Sequence, residues 1–207
     1  MDLPELKMKA AEAALSLASE RPWSEVTLSD VADRADIELA AFYGKLDLED
    51  IVTAIDELLD VNVASERQDG EETLRERIFD AAMLRFEAME DHRAALLSIR
   101  KSWKRQPVAR LKAAKRRVKT AHWILTCAKA DFAGVSARAL VLSGILFRAE
   151  NAWEKEDSPD FTRTMAQLDR DLRDVEDFAR KMKGFGKTGP RKGDDASGGT
   201  EESAPTV

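Results

Sequence analysis

Apolar residues recur along this chain at spacings of three and four, and no stretch alternates apolar and polar as a half-buried strand would. The pattern predicts an all-α protein. A first helix over residues 5–20 carries Ala10, Ala13, Ala14 and Leu17 on one face, and Pro22 stops it. In Thr27-Leu28-Ser29-Asp30 a hydroxyl and a carboxylate stand three apart, the spacing of a capping box. A second helix is expected from there through Val31 and Ala32 to about Ala35. A short third helix over 37–43 follows, then a fourth capped by Asp47 with Ile51, Ile55, Leu58 and Leu59 inward. The polar run 65–70 breaks the pattern. A fifth helix is expected over 71–90, with Leu74, Ile78, Phe79, Met83, Phe86 and Met89 inward. Two more, over 92–103 and 108–130, are broken at Pro107, and Gly134 ends this part.

The last two helices are the most legible. The eighth, 136–154, is apolar nearly all round (Leu140, Val141, Leu142, Ile145, Leu146, Phe147, Trp153) and must be covered on more than one side. Ser158 is expected to cap the ninth, with Pro159 at its first position. There Phe161, Leu168, Val175 and Met182 are seven apart, and Met165, Leu172 and Ala179 interleave with them. That is the a/d seam of a helix with a long packing partner. Two oversupplied apolar surfaces side by side predict a homodimer, with Leu142, Ile145, Phe147, Trp153, Phe161, Met165, Leu168, Leu172 and Val175 at its interface. From residue 186 to 207 almost nothing is apolar, and a disordered tail is expected.

Composition narrows the class. A single cysteine, Cys127, excludes a disulfide framework. The longest uncharged runs, 120–128 and 139–147, are too short to span a bilayer. No basic start leads into a long apolar run, so a cytoplasmic protein is expected. Charge is sharply partitioned beneath the net −6. Residues 1–60 hold 5 basic and 15 acidic residues, whereas 92–130 hold 12 basic and none acidic. Any nucleic-acid claim must therefore say which segment supplies the positive field. The basic run reads either as a solvated face pairing with the acidic N-terminal part or as a binding surface for an anion. Its helices also carry Leu96, Leu97, Ile99, Trp103, Leu111, Trp123, Ile124 and Leu125. An apolar pocket rimmed by cations would suit a carboxylate or phosphate with a greasy body, such as an acyl chain.

Catalytic signatures are lacking. No GxSxG, P-loop or Rossmann fingerprint occurs. The histidines are His92 and His122, and His122 and Cys127, five apart, lie on different helix faces. No cofactor, no metal site and no enzyme is expected.

Two short helices joined by a tight turn after a longer one make a helix-turn-helix. Ala13, Ala14, Leu17, Glu20 and Arg21, then Trp23, then Thr27, Val31, Ala32, Ala35, Asp36 and Ile37, and finally Phe42, Tyr43, Lys45 and Leu46 resemble the DNA-binding domain of TetR-type transcriptional regulators. The resemblance covers about a quarter of the chain. It implies a helix-turn-helix head over residues 1–60 and a helical ligand-binding and dimerisation domain over 61–185. It implies a dimeric one-component regulator of palindromic operator DNA, released by a small apolar or acyl ligand. Thr27, Tyr43 and Lys45 would meet phosphates, and Leu39, Ala40 and Ala41 would enter the major groove. Phe79, Met83, Phe86, Trp103 and Trp123 would line the ligand pocket.

The pattern also departs from that family. Asp36 stands at the turn glycine, Pro22 before the tryptophan, Glu38 at the start of the recognition helix and Glu49 at the lysine after it. A helical chain with a weakened head also resembles the lipid-binding accessory proteins of ubiquinone biosynthesis, in the order and length of its later elements. That likeness implies a head that no longer binds DNA.

Overall fold

The structure is a computed structural model that describes residues 1–64, 72–104, 106–130 and 135–185. The expected break at 65–70, the helix end at Gly134 and the polar tail 186–207 lie outside the described residues. Among the described residues every regular element is helical: α1 (Leu3–Glu20), α2 (Leu28–Ala35), α3 (Leu48–Val63), α4 (Leu74–Glu90), α5 (Arg93–Trp103), α6 (Pro107–Cys127), α7 (Val135–Trp153) and α8 (Thr162–Phe185), with 3-10 turns at Trp23–Glu25 and Leu39–Phe42. No helix among them is long and apolar enough to cross a membrane.

Capping side chains set most of the starts. Asp2 accepts from the Glu5 amide ahead of α1. Thr27 with Asp30, Asp47 with Asp50 and Thr73 with Glu76 form reciprocal boxes at α2, α3 and α4. The Thr73 box moves the start of α4 inward from the expected residue 71. At the end of α2, Asp36 adopts the left-handed conformation (φ 54°, ψ 49°), and the Ile37 amide closes the helix on the Ala32 carbonyl at 3.0 Å.

Two expectations change. The segment 37–43 is a single 3-10 turn and not a helix: Glu38 and Tyr43 on either side are extended, no side chain caps the start, and Gly44 turns left-handed (φ 67°). So short a stretch gains too few hydrogen bonds to offset nucleation. The ninth expected helix begins at Thr162 and not behind Ser158. Phe161 is left-handed (φ 52°), and the Glu156 carboxylate reaches forward to take the Thr164 amide (2.9 Å) and hydroxyl (3.0 Å). The Ser158 hydroxyl accepts from the Asp160 amide in the connecting turn.

One continuous apolar cluster runs from α1 to α8. Helix α1 packs on α2, α3 and α5; α3 also meets α4 and α6; α7 lies between α6 and α8, and α8 returns to α4. The N-terminal helices are thus anchored to the bundle at two places. One is α5, where the Ser98 hydroxyl accepts from the Trp23 amide at 2.9 Å. The other is α3, which carries the charged contacts described next.

Candidate nucleic-acid interface and core cavity

Phe42 is buried and ties the turn after α2 to the core, which pushes its neighbours outward. Tyr43 is 92% exposed and Leu39 49%. Ala40 and Lys45 are exposed and Ala41 is half-buried. Thr27, also exposed, accepts from the Asp30 amide and donates to the Asp30 carboxylate at 2.6 Å. Five of the six expected DNA-contact residues are therefore open to solvent.

The electrostatics of this face are self-contained. Arg21 pairs with Asp30 at 2.8 Å and Arg34 with Glu20 at 2.7 Å. The Thr27 hydroxyl and the Arg21 guanidinium hold the Asp30 carboxyl down to about 2. The Arg34 guanidinium likewise lowers Glu20. The N-termini of α2 and α3, which could each bind a phosphate, are occupied by the chain's own carboxylates Asp30, Asp47 and Asp50. Lys45 makes no ion pair among the described residues.

The basic helices α5 and α6 turn much of their charge inward. Arg116 of α6 is 8% exposed. It donates to Glu49 and, at 2.9 Å, to Asp56, both on α3, and its guanidinium lies 4.9 Å from the Trp103 ring centre. Arg85 of α4 joins Asp56 (2.9 Å) and Asp60 (2.8 Å). Lys119 reaches Glu57 at 2.6 Å. On the other side Arg100 and Arg117 converge on Glu150 of α7 (2.6 and 2.7 Å), and Arg100 also holds Glu154 at 2.6 Å. Burial by itself would raise the Glu150 carboxyl, but the Arg117 and Arg100 guanidiniums outweigh it and hold it down to about 2. At Asp56 burial prevails and pushes the carboxyl up, against Arg85 and Arg116.

These charges surround a cavity of about 50 Å³, whose wall includes Asp56, Arg85, Trp103, Arg116, Arg117 and Glu150. A groove of about 710 Å³ between α5, α6 and α7 shares Arg100, Trp103, Ala113 and Arg117 with it and adds Leu111, Phe147, Lys104 and Arg110.

Of the five expected pocket residues, Trp103 lines both spaces. Met83 and Phe86 are buried in the apolar cluster and Phe79 is half-buried against it. Trp123 lines a separate groove with Val61, Val118 and His122 and donates its Nε1–H to the Asp60 carbonyl at 2.7 Å. Sequence reasoning missed Asp56, Arg85 and Glu150, whereas Arg116 and Arg117 belong to the basic run expected to rim an apolar pocket. One signal was there to read: Glu150 is the lone acid inside the most apolar helix, and a buried carboxylate needs a partner.

The residues expected at a dimer interface divide in two. Leu142, Ile145, Trp153, Leu168 and Leu172 are buried within the single chain. Phe161 is half-buried, and Phe147, Met165 and Val175 are exposed beside Leu140, Val141 and Phe178.

No family model matches the chain, and no curated protein matches it. Its structure is similar to that of a TetR transcriptional regulator from Nitrosomonas europaea ATCC 19718, with a TM-score of 0.65 and 19% identity over 83% of this chain and 98% of that one. The fold is the TetR fold.

Proposed function

We propose that this chain is a transcriptional regulator of the TetR type, which binds operator DNA as a homodimer through the turn after α2 and is released by a small ligand held in the α5–α7 region. The observation that carries the reading is Tyr43. A nearly fully exposed tyrosine next to a half-exposed Leu39, on a turn pinned from beneath by Phe42, does nothing for the packing of the chain. It suits a surface that meets another molecule. A tyrosine hydroxyl and the Lys45 ammonium there can donate to phosphates, and Leu39 and Ala40 can make apolar contacts with thymine methyls.

A homodimer is supported by exposed apolar side chains on two helices that pack on each other, Leu140 and Val141 on α7 and Met165, Val175 and Phe178 on α8. Exposed apolar surface, where it is contiguous, marks association sites. A two-fold dimer would read a palindrome with half-sites spaced by a whole number of helical turns. A cytoplasmic location goes with this role.

Purified protein is incubated with sheared DNA of the source genome at about 100 mM salt, where phosphate contacts still contribute strongly. The bound fragments are then sequenced. A shared palindrome that Tyr43→Ala no longer recovers supports the regulator. Recovery of all fragments alike, or of none, overturns it.

A second reading has its own observation. The carboxylates at both helix N-termini, and the pairing of Arg21 and Arg34 with head carboxylates, leave little positive field facing outward. A chain with this head could instead be a lipid-binding accessory protein, and mass spectrometry of the native protein would then find co-purifying lipid.

A further inference from the structure

We propose that the core cavity takes the carboxylate of a singly charged anion with an apolar body, and that this carboxylate displaces Glu49 from Arg116. The inference deepens the ligand-regulated reading above by naming the ligand's chemistry and what it would move.

Arg116 supplies the first observation. It uses Nε on Asp56 and Nη1 on Glu49, while its Nη2 is buried with no hydrogen-bond partner. Arg116 lines the cavity and is nine-tenths buried. A buried guanidinium donor left without an acceptor is costly, and a ligand oxygen would remove that cost.

Charge counting gives the second. Arg85, Arg100, Arg116 and Arg117 pair with five carboxylates: Glu49, Asp56, Asp60, Glu150 and Glu154. The cluster has no spare positive charge, so an incoming anion must replace one of these. Glu49 is the one able to leave. Its side chain is 29% exposed, more than any of the other four, and Lys112 stands 3.9 Å away to share its charge in water. A one-for-one exchange favours a single negative charge over a phosphate dianion.

The shared wall gives the third. The cavity of about 50 Å³ holds a carboxylate group and little more. The adjoining groove of about 710 Å³ has the size of a site for a small organic body, and Trp103, Leu111 and Phe147 give it apolar sides. Glu49 sits in the first turn of α3, directly after the turn that carries Tyr43. Its release frees the first turn of α3, next to the proposed DNA surface, from α6, while Asp56, Glu57 and Asp60 keep the rest of α3 on α6, and a ligand acts there through its difference in affinity between the two arrangements.

The test uses the whole chain, without DNA, and isothermal titration with decanoate, decanol and decyltrimethylammonium. Decanoate is expected to bind at least roughly tenfold more tightly than decanol, the scale of one charge-assisted hydrogen bond, and the cation not at all. Glu49→Gln removes the competing carboxylate and keeps Asp56 on Arg116. It is expected to tighten decanoate roughly five- to tenfold and leave decanol unchanged. Arg116→Lys loses the fork and is expected to weaken decanoate about tenfold. Equal affinities for decanoate and decanol, or a Glu49→Gln variant that binds decanoate no better, overturn the proposal. Because no DNA is present, a chain that binds decanoate in this way but selects no palindrome loses only the regulator reading.

Discussion

The basic helices and the acidic head invert what their composition suggests. Residues 92–130 carry 12 cations and no acid, the profile of a nucleic-acid surface, yet Arg100, Arg116, Arg117 and Lys119 are turned onto carboxylates of α3 and α7. The head carries 15 acids, but its Glu49, Asp56, Glu57 and Asp60 face the bundle and serve as those partners. The outward face of the head carries Tyr43, Leu39 and Lys45 among the exposed carboxylates Asp33, Asp36, Glu38, Asp47 and Asp50. A segment's net charge therefore says which surfaces attract one another inside the molecule before it says anything about a partner. Here Arg116 and Lys119 join α6 to the head, and Arg100 and Arg117 tie α5 and α6 to α7.

The sharpest way to break that assignment is at Glu150. It is 6% exposed and shared by two arginines. Glu150→Gln leaves two buried guanidiniums short of a counter-charge, so a loss of about 3–5 kcal/mol is expected in urea unfolding. Lys115, on the same basic helix but exposed and without an ion pair among the described residues, gives the contrast: Lys115→Ala is expected to change stability by less than about 0.5 kcal/mol. Acid titration is a second readout. The Glu150 carboxyl is held at about 2 in the folded chain against an ordinary 4.5. Its contribution is full above pH 4.5 and is lost as the pH falls from 4.5 towards 2. The melting temperature should drop across that window, and the drop should be shallower in Glu150→Gln. A flat wild-type profile there would mean that Glu150 is not ionised among its arginines.

The other side of the comparison is broken at the head. Tyr43→Ala should lower affinity for a selected operator at least roughly tenfold, the worth of one good contact, while leaving stability within about 0.5 kcal/mol because the side chain packs on almost nothing. Lys45→Ala should weaken binding to all sequences alike and reduce the salt slope by about 1. If the operator is bound equally well without Tyr43 and Lys45, the DNA surface is elsewhere, and the exposed Arg110 and Lys115 of α6 become its source.

What could be read in advance followed what local physics decides. The capping box at Thr27, the end of α2 at a left-handed Asp36, the cap at Asp47 and the boundaries of α5 and α7 depend on a few neighbouring residues, and they stand close to where the pattern put them. The start of α4 was equally legible, since Thr73 and Glu76 have capping-box spacing, but the apolar periodicity drew attention past it. The start of α8 was not legible. The cap comes from Glu156, eight residues before Thr164, and a left-handed Phe161 has no composition signal. The cavity was legible only in outline. A cation-rimmed apolar pocket follows from the basic helices, but that Arg116 points at α3 while Arg117 points at α7 depends on packing between segments about 30 to 70 residues apart. The aromatic residues Phe79 and Phe86 attract attention as pocket walls because they are large, and large side chains are also what fills a core.

The smallest expected effect separates local strain from charge at one position. Asp36 is left-handed at the end of α2, where most residues other than glycine are strained, and it is exposed, so it packs against little. Asp36→Gly relieves the backbone but adds freedom to the unfolded chain, and the two should net to a gain of about 0.5 kcal/mol. Asp36→Asn keeps nearly the same backbone preference and removes only the charge. Stability should therefore rise with Gly and not with Asn, whereas operator affinity should rise with both, and more steeply at low salt, because either change removes a carboxylate from the turn leading to Tyr43. If Asn improves stability as much as Gly, repulsion among the head's carboxylates, and not the backbone, is what the turn at Asp36 costs. The acidic head would then be under strain from its own charge, even with Glu49, Asp56, Glu57 and Asp60 turned inward.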